Sequence, residues 1–329
     1  MKHTPLLTIE NLKVAFDTEQ GQVRAVDGVG FHLERGSILG IAGESGCGKS
    51  VTALSIIRLL PKPVSSVLAG RILFQGQDLL TIPIRQMQKI RGKKIAMIFQ
   101  EPMTALNPVH NVGRQMKEVF ALHFPGMSAA DMHTEAVNML TRVGIPDPGQ
   151  VLKKYPHQLS GGIRQRIMIA MALSCEPDIL IADEPTTALD VTIQAQILEL
   201  ITSLRETSGM AIILITHDLG VIAENCDHVV VMYAGRIAET ADVTSLFNHP
   251  MHPYTRGLLT SIPSRAKTAK AVLPTIAGSV PSLSDMPDGC RFADRCPFVH
   301  DLCRQILPLE RLVGEGHTAA CHLYPQASA

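Results

Sequence analysis

The sequence predicts an α/β protein organised on a mainly parallel sheet, and three observations point there. The apolar runs "DILIADE", "AIILITHD" and "HVVVMYAG" are continuous rather than alternating, as strands covered on both faces are. The stretch "TIQAQILELITSLRETSG" reads as a helix between the first two, which gives a β-α-β rhythm. The glycine-rich "GESGCGKS" lies between a strand-like "ILGIA" and a helical "VTALSIIRLL".

Along the chain, "LTIENLKVAF", "VRAVDGVGFHLE" and "GSILGIAGE" are short, rich in Val, Ile and Leu, and separated by Gly and charge, so they read as strands. From about Arg85 to Tyr155 the pattern turns helical, with "NVGRQMKEVFALHF" and "SAADMHTEAVNMLTRVGI" bounded by Pro and Gly. After "HPYTRGLLTSIP" the texture becomes rich in Pro, Ser and Cys. A boundary near Pro263 divides the chain into 1–262 and 263–329, and no internal repeat is apparent.

Composition narrows the function classes. Formal net charge is zero, which argues against non-specific nucleic-acid binding. No apolar run reaches the roughly eighteen residues of a membrane span, and "MKHTPLLTIENLKVAF" has no signal-peptide core. The expected compartment is the cytosol, where thiols stay reduced, and any work at a membrane would go through partners.

Gly43 to Ser50 fit G-x-x-x-x-G-K-[ST]. Gly43, Gly46 and Gly48 let consecutive N–H groups wrap a phosphate, with Ser45, Cys47 and Val51 completing the loop and the helix start. Lys49 reaches the β- and γ-phosphates, and the Ser50 hydroxyl is placed for Mg²⁺. "DILIADEP" delivers Asp183 and Glu184 to the C-terminal end of a strand, where ligands bind in open α/β sheets. Asp183 would hold Mg²⁺ through water, and Glu184 would deprotonate the attacking water.

Six ordered elements carry a resemblance. "LSGGIRQR" (Leu159 to Arg166) is similar to the signature motif of ATP-binding cassette (ABC) ATPases; "FQEP", "TALD" and "ITHD" resemble their Q-loop, D-loop and switch-histidine segment. The resemblance implies a P-loop ATPase domain with a RecA-like sheet, an antiparallel β subdomain and a helical subdomain at about 100–175. It further implies that Phe16 stacks on adenine, Gln100 contacts Mg²⁺ and the water, and His217 contacts the γ-phosphate. Ser160, Gly161 and Gly162 would close over a nucleotide held by the opposite subunit, and Asp190 would line the dimer interface. Ile163 and Arg164 depart from the commonest form of the signature.

About 110 residues separate P-loop and signature, without sustained heptads, and the chain has one cassette. Repair, chromosome-maintenance and translation-factor types are thereby disfavoured, and a transporter subunit remains. "IFQEPMTALNP", "YPHQLSGG", "VMYAGRIAE", "HPYTRGLL" and "PDGCRFADRCP" resemble the ATPase subunits of bacterial dipeptide and oligopeptide importers, a family that includes nickel and glutathione systems. "IMIAMALSCEP" is similar to the D-type subunit. The resemblance implies a heterodimer with a homologous F-type ATPase, two permeases, an extracytoplasmic solute-binding protein, and a peripheral position on the cytoplasmic side of the inner membrane. A soluble ATPase switch with a redox-sensing tail is the rival reading.

Cys290, Cys296, Cys303 and Cys321 are spaced C-x₅-C-x₆-C-x₁₇-C, without the tight knuckles of zinc ribbons. A [4Fe–4S] cluster accepts looser spacings and is the favoured occupant, helped by the resemblance; zinc, reduced thiols or a disulfide are the alternatives. His300, His317 and His322 lie close by as bystanders. Cys175 and Cys226, like Cys47, read as small space-filling residues. With little apolar material of its own, the tail is expected to need a metal staple, for which a redox sensor is the sharper alternative.

Overall fold

The computed structural model describes residues 4–19, 21–100, 105–185, 191–262 and 275–324. They fall into two compact units, one of Met1–Glu34, Ile38–Thr81 and Leu214–Ala329, the other of Arg35–Ser37 and Ile82–Ile213. The boundary expected near Pro263 lies outside the described residues.

The first unit opens with β1 (Leu7–Thr18) and β2 (Gly21–Leu33), which run antiparallel with Leu7 opposite Leu33. Leu7, Ile9, Leu12, Val14 and Ala15 are the buried positions of β1. Ile9 and Leu12 share a face only because Asn11, at φ 47°, inserts a bulge between them. The five residues of β3 (Ile38–Ala42) are all buried, and α1 (Lys49–Ile56) follows. β4 (Ser65–Phe74) pairs with the free edge of β1, and β5 (Gln77–Asp78) with β4, completing an antiparallel sheet ordered β2-β1-β4-β5.

The second unit carries α2 (Ile84–Ile90), β6 (Ile95–Ile98), α3 (Val112–His123), α4 (Ala129–Arg142), α5 (Pro148–Val151), α6 (Gly161–Leu173), β7 (Ile179–Asp183) and α7 (Val191–Ser208). Side-chain oxygens start the expected helices: Asn111 accepts from the Arg114 N–H and Ser128 from the Asp131 N–H. Met116 and Phe120 on α3 are buried, as are Ala136, Met139 and Leu140 on α4. β6 lies within the stretch read as helical and pairs parallel with β7, Ile95 opposite Ile179. Four residues are too few to display a period, which is why the sequence hides this strand.

β8 (Ala211–Ile215) carries the chain back to the first unit. There follow α8 (Leu219–Asn225), β9 (His228–Tyr233), β10 (Arg236–Asp242), α9 (Val243–Asn248), α10 (Pro253–Thr260), α11 (Asp301–Gln305), β11 (Arg311–Gly314) and β12 (His317–Ala319). β9 runs parallel to β3 but antiparallel to β10, and β12 then β11 extend that edge antiparallel, so the sheet is mixed.

The tail does not depend on a core of its own. Phe292 is buried among Tyr233, Tyr254, Leu246 and Leu259, and Glu239 on β10 lies opposite Ala319 of β12. Glu239 is fully buried, yet its carboxylate accepts the N–H groups of Met251 (2.7 Å) and His252 (2.8 Å) and meets His317 Nε2 at 2.7 Å. A buried carboxylate is tolerated when it is hydrogen-bonded on every side, and this one ties tail, β10 and α10 together.

Beside it, burial pushes the His252 imidazole down to about 4 from its ordinary 6.5; Arg256 acts the same way, and a hydrogen bond to the Ala320 backbone opposes both. Its Nδ1 accepts the Tyr254 N–H at 3.0 Å, a bond that requires the neutral ring. The unfolded chain therefore binds a proton that the fold refuses between pH 6.5 and 4. Stability should fall as pH drops through that window, by up to roughly 3 kcal/mol from this group. Urea midpoints at pH 7 and 5 test it, and the loss should be smaller in His252→Gln.

Candidate functional site

The first unit supplies the phosphate loop, Gly43 to Ser50, between β3 and α1. Two of its glycines are set by close packing. Gly43, at φ 146°, would drive a Cβ to 2.2 Å from the Met232 carbonyl oxygen. Gly48 caps α1 at φ 103°, where a Cβ would lie 2.7 Å from the Ala25 carbonyl oxygen. The start of α1 has no side-chain cap and no acid in its first turn, so its N–H groups and positive dipole end are left for an anion. Lys49 is buried, with Nζ donating to the carbonyls of Gly43 (2.7 Å) and Glu44 (3.1 Å). Its ammonium is thus stored on the loop that a phosphate would occupy. Ser45 and Gly46 are exposed, while Ser50 and Val51 are half-buried. Cys47 is buried, and burial pushes its thiol up, which suits a filler better than a nucleophile.

Phe16 is half-buried on β1, opposite Val23 and Ser65. His217 follows β8 and is exposed; the next residue, Asp218, caps α8 by accepting the N–H groups of Gly220 and Val221.

The second unit brings Gln100 and Glu184 together. Gln100, just beyond β6, donates from Nε2 to Glu184 Oε2 at 3.1 Å. Glu184 takes a left-handed backbone at φ 46°, immediately after β7, a costly conformation for a non-glycine residue and one that recurs at functional sites. Asp183, the last residue of β7, is buried. The signature segment presents Ser160 as the exposed N-cap of α6, its side chain making no cap bond, with Gly161 exposed and Gly162 half-buried. Asp190 lies outside the described residues. Sequence reasoning missed Gln165: fully buried on α6, it donates from Nε2 to the Pro185 carbonyl and so links the signature helix to the turn after Glu184. A glutamine on an otherwise apolar helix face was the available signal.

The tail cysteines gather in the first unit. Burial pushes Cys290 up to about 11, and the thiols of Cys303, Cys321 and Cys296 push it the same way. Cys296 and Cys321 are also raised, by burial first and then by neighbouring cysteines. All seven cysteines are free thiols, so no disulfide staples the tail. Among the described residues no group of three or more His, Cys, Asp or Glu side chains is arranged to hold a metal ion. No described helix is long and apolar enough to cross a membrane.

The comparisons with known proteins agree with this geometry. Residues 26–187 match the ABC transporter family model, and residues 238–303 match the oligopeptide/dipeptide transporter C-terminal region. A probable peptide ABC transporter ATP-binding protein of Sinorhizobium fredii is 54% identical over 96% of this chain and 94% of its own. The dipeptide transport ATP-binding protein DppD of Bacillus subtilis is 52% identical over 98% of this chain and 95% of its own. Among solved structures, the dimeric ATP-binding cassette MJ0796 bound to ADP and Pi is 25% identical, with a TM-score of 0.65 over 72% of this chain and 98% of its own.

The loop geometry makes a direct forecast. Gly48→Ala should be strained both in φ and against the Ala25 carbonyl, costing about 1–3 kcal/mol. Differential scanning fluorimetry should give a lower midpoint and a smaller upward shift on adding Mg²⁺ and ATP.

Proposed function

This chain belongs to the ATP-binding subunits of ABC transporters, and from that membership we propose that it powers uptake of dipeptides or oligopeptides through partner permeases. The observation that carries the solute class is the likeness, over nearly the whole chain, to relatives named for peptide and dipeptide transport. None of those three is named for nickel or glutathione, which favours peptide. Nothing among them favours a soluble redox switch.

The donors suit the reaction. Ser50, Gln100 and Asp183 offer a hydroxyl, an amide and a carboxylate, the hard oxygen ligands that Mg²⁺ prefers. Bound there, Mg²⁺ would neutralise charge on the β- and γ-phosphates. The N–H groups of residues 43–51 and the Lys49 ammonium would cradle those phosphates, and Phe16 would stack on the adenine. Glu184, oriented by Gln100, would take a proton from the attacking water, and His217 would contact the γ-phosphate.

Ser160, Gly161 and Gly162 would serve the nucleotide of a second subunit, since an exposed helix start without a cap is suited to an anion from another chain. A homologous F-type ATPase is the proposed partner, with Asp190 at the junction. Closure on ATP and release after hydrolysis would then drive the permeases. Their docking place on the second unit is a groove of about 500 Å³ lined by Phe99, Leu106, Val119, Leu122, Met168 and Met171. Phe99 and Leu122 are exposed large apolar residues there, as at a surface awaiting a partner. With two permeases and an extracytoplasmic solute-binding protein, the subunit would sit on the cytoplasmic face of the inner membrane.

For the four tail cysteines, the proposed occupant is a [4Fe–4S] cluster rather than one zinc. A single zinc draws four sulfurs to about 2.3 Å from one point, whereas a cubane holds its ligands at the corners of a larger body. The loose C-x₅-C-x₆-C-x₁₇-C spacing, without the tight knuckles of zinc ribbons, suits the larger body. Anaerobically purified protein should carry about four irons and four sulfides per chain, lost in Cys296→Ala; one zinc, or no metal, would refute the cluster.

Glu184→Gln should leave ATP binding intact, lower turnover at least a hundredfold, and trap the ATP-bound pair on gel filtration. Turnover at the normal rate would remove Glu184 as the base. Failure to purify with two hydrophobic permeases on co-expression would count against the transport reading.

A further inference from the structure

Between the first two tail cysteines the chain reads "CRFADRC", and this segment reaches the phosphate loop. Arg295 places Nη1 at 2.6 Å from Glu44 Oε2 and Nη2 at 2.9 Å from Glu44 Oε1, a two-pronged charge-assisted pair. Its side chain is only 5% exposed, against 29% for Glu44. The remaining Nε donates to the Ala277 carbonyl at 3.0 Å, so the guanidinium plane is fixed before any ligand arrives. Glu44 is held from a second side, because its backbone N–H donates to the Tyr254 hydroxyl at 2.8 Å. Tyr254 in turn packs on Tyr233 and Phe292 at ring-centroid distances of 4.6 and 5.4 Å.

Glu44 is an acid in a loop that has to receive a polyanion. Left alone, its carboxylate would repel the phosphates and compete for Lys49, whose ammonium already rests on the Glu44 carbonyl. Arg295 cancels that charge and fixes its direction, and nothing in the loop itself does so. We propose that Arg295 is a positioning residue of the nucleotide site: it holds Glu44 neutralised and turned aside, so that ATP affinity depends on a side chain of the C-terminal tail. The inference rests on the nucleotide-binding reading and adds a determinant outside the known motifs.

The test is the affinity of the purified full-length chain for a fluorescent ATP analogue with Mg²⁺, beside the thermal midpoint without nucleotide. Arg295→Met should weaken binding about tenfold, and Arg295→Lys, which keeps the charge but not the fork, about threefold. The discriminating variant is Arg295→Met with Glu44→Gln. Removing the stranded carboxylate should restore most of the lost affinity even if the midpoint stays low. Wild-type affinity in Arg295→Met would overturn the proposal. So would an equal loss in the single and double variants, which would make Arg295 a structural staple only. If Arg295→Met does not fold, Arg295→Lys with and without Glu44→Gln supports the same comparison. A wild-type chain that binds no nucleotide would sink the parent reading, whereas normal wild-type binding with an indifferent Arg295 sinks this one alone.

Discussion

The first unit is organised around a loop that leads into a helix with no side-chain cap at its start. Gly43 and Gly48 are pressed against the carbonyls of Met232 and Ala25, so the loop sits against β9 and β2 with no room for a Cβ at either point. Lys49 fills the hollow with its ammonium and holds the carbonyls of Gly43 and Glu44. Such a loop is stable only because its surroundings over-determine it. The buried β3, the aromatic group of Tyr233, Tyr254 and Phe292, and the Arg291 pair to Asp27 at 2.6 Å all serve that end.

Much of this was legible in the sequence, for physical reasons. β3, β7, β8 and β9 are continuous apolar runs, which only strands buried on both faces need. Asn111 and Ser128 mark the starts of α3 and α4, and the glycines of residues 43–48 mark a conformation that other residues avoid. Lys49, Asp183 and Ser160 stand at the ends of such elements, and Glu184 just beyond one, where the motifs led the sequence reading to expect them. What escaped was fixed by long-range pairing. β6 has four residues and no period of its own. β12 joins β10 through partners such as Glu239 and Ala319, eighty positions apart. Gln165, Tyr254 and Arg295 act through bonds to residues far away in sequence, which no local pattern encodes.

The tail draws on a core that is not its own. Its sequence is rich in Pro and Cys and poor in apolar residues, and those few enter the core of the first unit. Phe292, Ala293 and Ala319 are buried, and His317 meets the carboxylate of Glu239. Apolar residues too few for an independent core can complete another one, and the segment is ordered by what it joins.

The docking of the tail on β10 has a consequence for the order of events during synthesis. The phosphate loop is made early, but the residues that pack and neutralise it, Tyr254, Phe292 and Arg295, are made some two hundred positions later, and β12 later still. Contacts of such long sequence separation form late. The nascent chain can therefore display the whole loop sequence without its finished shape. The finished, charge-balanced form of the loop is reached only near the end of translation, after the tail has docked on the first unit.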